Sequence, residues 1–152
     1  LADHPSKYDG DDLVVAPENQ RLVTLGKIVA AQIRTGDLRT LVGKERGART
    51  EFIAISEQLR VMKAKNAWLK DLFIVRATGA PGVVEVVVAP EMMSLKEAIA
   101  AGQDTWEIPA ITEHPDRAVS FSLRDDAGKK HTYVYIPIFD NNGAVVGGVV
   151  LE

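Results

Sequence analysis

The chain contains no cysteine, which removes disulfides, thiolate nucleophiles and cysteine-ligated metals together. A chain without cysteine suits a reducing or an oxidising compartment equally well. No apolar run approaches the roughly 20 residues that span a bilayer, and the opening LADHPSKYDGDD has neither a basic stretch nor an apolar signal core. Positive charge is also short. Lys and Arg number 18 against 21 Asp and Glu, a formal net charge of -3, so a phosphate backbone meets no general attractive field and nucleic acid is not an expected partner. Internal repeats and low-complexity tracts are missing. Because it starts at Leu1, the chain reads as a piece of something larger, with membrane association expected only through segments that this chain lacks.

What is there suits one folded domain. A chain of 152 residues with 46% apolar and 26% charged residues can close a single core. Residues 1–17 are polar and carry Pro5, Gly10 and Pro17, which predicts a loose arm; residues 18–152 form the expected domain. Leu22, Leu25, Val29 and Ile33 recur at intervals of three and four, which predicts a helix from Glu18 to a stop at Gly36. Phe52, Ile55, Leu59 and Met62 repeat the stripe in a second helix. LFIVR and VVEVVVA read as strands on either side of the TGAPG turn. Ser94 with Glu97 three residues later predicts a capped short helix ending at Gly102. Beyond a Pro-containing extended piece, DTWEIPAI, three strands follow: AVSFSLRD, KHTYVYIPIF and AVVGGVVLE.

This order predicts an α+β fold, with a central antiparallel sheet of about five strands. N-terminal helices would cover one face, and a short helix and loops the other. In KHTYVYIPIF, period two places Thr132, Val134, Ile136 and Ile138 on one face and His131, Tyr133, Tyr135, Pro137 and Phe139 on the other.

Catalytic signatures are sparse. The three histidines, His4, His114 and His131, have no metal-ligand spacing, even with Glu113 and Asp116 beside His114. Ser56, Ser94, Ser120 and Ser122 lack a nucleophile motif, and GKERG lacks the glycines and the Ser or Thr of a phosphate loop. No cofactor, metal or catalytic residue is expected. A ligand pocket is better supported. His131, Tyr133 and Tyr135 would present rings, hydroxyls and an imidazole to one space, with Trp106 or Trp68 as a wall. Arg76 at a strand end could grip a carboxylate in two places. Asp140 is a weaker candidate acceptor. Each has a structural alternative: the aromatics as core or rim, Arg76 as a solvated strand end, and Asp140 as a turn residue.

The ending, from Tyr133 through Pro137, Asp140, Gly143 and Gly147 to Val150, resembles the closing hairpin of extracytoplasmic PAS-like sensor domains of the single Cache group. These occur in bacterial histidine kinases, chemoreceptors and cyclase regulators. The resemblance runs over about residues 18–150, and Asp140, Gly143 and Gly147 match hairpin positions. It implies a periplasmic or extracellular sensor domain of an inner-membrane signal-transduction protein, itself not an enzyme. It would bind a small polar or anionic molecule, a carboxylate or amino acid, and dimerise through its N-terminal helices. Two departures stand out: a helical lead broken by Gly36, Gly43 and Gly47, and no D-x-x-G turn after the first strand. The main alternative is a non-catalytic dimerisation or interaction module whose pocket is filled by Trp68, Trp106 and the tyrosines. A small hydrolase or isomerase using His131 or His114 comes third.

Overall fold

The computed structural model describes Pro5 and residues 7–152; His4 and the other first residues of the arm, 1–3 and 6, lie outside the described residues. The chain runs β1 (Lys7–Asp12), α1 (Gln20–Gln32), α2 (Thr35–Arg39), α3 (Thr50–Lys65), β2 (Leu72–Ala77), β3 (Val83–Val88), α4 (Met92–Ala100), β4 (Thr105–Glu107), α5 (Pro109–Glu113), β5 (Val119–Arg124), β6 (Lys130–Phe139) and β7 (Val145–Leu151). Single 3-10 turns lie at Pro17–Asn19 and Lys44–Ala48.

Both apolar stripes become helices. Leu22, Leu25 and Val29 of α1 and Phe52, Ile55 and Leu59 of α3 are buried, and each such side chain contributes about 1.5–3 kcal/mol by leaving water. α1 rides directly on β6 and β7. At Gly26 a Cβ would stand 2.5 Å from Cγ1 of Ile136 and 2.9 Å from Cδ1 of Leu151, so only glycine permits this approach.

Three local expectations need correction. α1 ends at Gln32, because Ile33 and Arg34 turn extended, and Gly36 lies inside α2 rather than stopping the first helix. Ser94 is not a cap: α4 starts two residues earlier, behind Glu91. DTWEIPAI is not one extended piece but the strand β4 followed by α5, whose first turn Pro109 suits with its fixed φ.

The larger correction is to the architecture. The expected open PAS-like (Cache) sheet of about five strands does not form; seven antiparallel strands curl into a nearly closed barrel in the order β1-β5-β6-β7-β2-β3-β4. The additional strands are the edges. β1 pairs with β5, matching Lys7 to Arg124, and β4 pairs with β3, matching Trp106 to Val84. The curl can be gauged from rings. β4 and β6 are four strand steps apart, roughly 19 Å along a flat sheet, yet the rings of Trp106 and Tyr133 are 6.2 Å apart, centroid to centroid. Register breaks between Tyr8 and Asp11, Ile74 and Val75, and Ile138 and Phe139 supply the bends. α5 packs on both β3 and β5 and so bridges the gap between the two edges, and Tyr8 of β1 reaches the Ala110 backbone of α5. The helices α1, α2 and α3 cover the convex side, while the concave side faces its own far strands.

Candidate functional site

The concave interior holds three of the candidate residues. Tyr133 and Tyr135 are at most 1% exposed. Tyr133 stacks on Phe121, with centroids 5.4 Å apart and planes 12° apart, and meets Trp106 edge-on. Trp106 in turn meets the edge of Phe73 at 5.1 Å. Such contacts add about 0.5–1.5 kcal/mol each beyond burial. The Tyr135 hydroxyl donates to the Pro115 carbonyl at 2.7 Å, and its ring lies against Gly148, where a Cβ would fall 2.0 Å from the ring. Burial pushes the ionisation of both tyrosines well above the ordinary range. The space expected to hold a ligand is thus packed with rings. Trp68, named in sequence as a possible wall or filler, is elsewhere: it carries the Arg21 guanidinium 3.8 Å above its ring, outside the barrel.

Arg76, His131 and Asp140 do not join this cluster. Arg76 points to the helix-covered side. Its guanidinium donates to Glu85 Oε1 at 2.8 Å and to the Leu41 carbonyl at 2.5 Å. Glu85 is its cross-strand neighbour in the β2–β3 ladder, a pairing the hairpin register could have revealed. Asp140 organises the β6–β7 turn. It accepts the Asn142 and Ala144 backbone N–H groups at 2.8 and 2.9 Å and pairs with Arg39. The Ala144 N–H leads, with Asn142 and Arg39 assisting, in holding the carboxyl below its usual range. Gly143 turns with φ 80° beside it.

His131 stands at the start of β6 between two carboxylates, with Nδ1 2.8 Å from Glu152 Oε2 and Nε2 3.1 Å from Asp125 Oδ2. Asp125 first and Glu152 second raise its pKa. Close by, burial pushes the Asp71 carboxyl up to about 6, with Glu91 and Glu152 adding to the rise and Lys63 and the Leu72 N–H opposing it. The bracket therefore ties the β5–β6 turn to the end of β7. Among the described residues no group of three or more His, Asp or Glu side chains could hold a metal ion.

Sequence reasoning passed over Arg46, within GKERG. It is 2% exposed and reaches the Val86, Val87 and Gly43 carbonyls and Asp104 Oδ2, the last at 2.5 Å. No periodicity marks it, because the Val86 and Val87 carbonyls that hold it lie some 40 residues away in β3.

Family models, curated proteins and solved structures were all compared with the chain, and none matches. The reading as a ligand-sensing domain of a membrane signalling protein is corrected accordingly. It rested on an open PAS-like sheet with a hollow face, whereas the sheet closes on itself around a buried aromatic cluster. The link to histidine kinases, chemoreceptors and cyclase regulators falls with that fold. Among the described residues no helix is long and apolar enough to cross a membrane.

Proposed function

We propose that this domain is a non-catalytic interaction module that self-associates through the outer face of α1 and the adjoining end of β6. The filled interior carries the reading: where rings occupy the concave side, recognition falls to the outer surface. The choice of surface is supported by apolar side chains left in water. Ile28 on α1 is 47% exposed and Phe139 at the end of β6 is 46% exposed. A groove of about 490 Å³ runs between these elements, floored by Ala30, Ala31, Pro137 and Phe139 and flanked by Lys27 and Arg117. An apolar strip with a charged rim is the common anatomy of a contact surface. The non-catalytic part is supported by the engagement of His131 with two carboxylates and of Tyr135 with a backbone carbonyl.

Sedimentation velocity over a wide concentration range tests this. The wild type is expected to shift from monomer toward dimer, and the I28E/F139E variant to remain monomeric with an unchanged melting temperature. A wild type that stays monomeric at every concentration would sink the reading.

A further inference from the structure

We infer that the cleft where the start of α1, the segment before β2 and the β5–β6 turn converge binds a small anion bearing phosphate or carboxylate groups. The cleft lies outside the barrel and has a volume of about 360 Å³, within the size range of small-molecule sites. Its distinguishing feature is charge. In a chain whose formal net charge is -3, Arg21, Lys70, Lys129 and Lys130 all line this one cleft. The carboxylates lining it are those of Glu18 and Glu152, and Glu152 is already held by His131. None of the four cations has an ion pair with another described residue, whereas Arg39, Arg46, Arg60 and Arg76 each pair with a carboxylate.

Arg21 is also anchored. Its guanidinium carbon is held 3.8 Å over the Trp68 ring by cation–π attraction, an interaction that still leaves N–H edges to offer a ligand. Those edges match a carboxylate or phosphate in two-point geometry. Leu22 and the Trp68 ring supply the apolar wall for a carbon skeleton. This inference does not depend on self-association through α1 and β6.

The test titrates the full chain with sodium pyrophosphate in one series and sodium citrate in another, at ionic strength held constant with sodium chloride. Trp68 emission in a W106F background reports binding, and backbone amide shifts in the wild type provide a readout that needs no substitution. At least one anion is expected to give saturable changes centred on Arg21, Trp68 and Lys129–His131, and R21Q should weaken that binding at least about tenfold. K129A/K130A should weaken it too, with folding intact because both side chains are exposed. Preference for pyrophosphate or for citrate assigns the group recognised. Linear, non-saturating shifts in both series, or an affinity that R21Q leaves unchanged, would overturn the site.

Discussion

Tyr133 and Tyr135 stand two residues apart on β6, equally buried, yet their hydroxyls are treated differently. Tyr135 donates to the Pro115 carbonyl. The Tyr133 hydroxyl makes no hydrogen bond of ordinary geometry among the described residues; the Glu152 carboxylate offers it only a weak contact, and burial first, then Glu152 and Asp71, push its ionisation up. A buried polar group left unpaired costs about 1–3 kcal/mol, and a made hydrogen bond contributes about 1 kcal/mol net. Opposite signs follow for the same chemical change. Y133F is expected to raise unfolding free energy by about 1 kcal/mol, and Y135F to lower it by about as much, both read from urea melts. The Tyr135 ring itself keeps its seat in either case, because Gly148 leaves the space it occupies. Equal losses in the two variants would mean that the Tyr133 hydroxyl has a partner in solution.

Between elements, the 3-10 turn at Lys44–Ala48 is fastened to β3 by one side chain. Arg46 bonds three carbonyls and Asp104 from a position 2% exposed. Removing one member of a buried pair strands the other, at about 3–5 kcal/mol. R46M should lose that much in chemical denaturation, and R46M/D104L should recover only part of it, since the carbonyls of Val86 and Val87 still lose the guanidinium donors. R60A, which removes an exposed partner of Glu57, should leave the melt unchanged. The contrast explains what the sequence made readable. Periodicity finds a helix or strand whose burial pattern is its own, so α1, α3, β2, β3 and β5 to β7 were legible from their apolar spacing. β1 and β4 were not: KYDGDD is almost wholly polar and TWE is three residues long, and both exist because a distant strand edge offers hydrogen bonds. Curvature was equally hidden, since it comes from register breaks rather than from composition. The site candidates divide in the same way. Alternation correctly grouped Tyr133 with Tyr135, but same-face membership does not say whether the space they face is hollow or filled. Arg76 and Asp140 needed partners, Glu85 and Arg39, that only pairing supplies.

Across the whole molecule, protons couple the end of β7 to stability. Glu152 exchanges backbone hydrogen bonds with Asp71 and receives the Lys70 N–H, and its carboxylate meets His131. Asp71 has a folded pKa raised to about 6, above its unfolded value of about 3.9. It therefore contributes stability that is complete below the unfolded value and lost as pH climbs through about 6, a loss on the order of 3 kcal/mol. His131 is also raised in the folded state, so its contribution is full below about 6.5 and disappears as pH rises through the higher folded value. Asp125 and Asp140 work the other way. Their folded values are depressed, Asp125 chiefly by His131 and Asp140 chiefly by the Ala144 N–H, so what they contribute is lost only as the solution becomes more acid than the ordinary carboxylate range. The sum places maximum stability in mildly acid solution, near pH 4–5, with a decline through neutrality. Thermal melts from pH 4 to pH 9 should show this fall, and two variants should divide it. D71N should flatten the portion between about pH 4 and pH 6.5 while keeping the acceptor for the Leu72 N–H. H131Q should flatten the portion above about pH 6.5. A wild type most stable at pH 8, or a D71N profile parallel to the wild type, would show that these two groups do not govern the pH dependence of the fold.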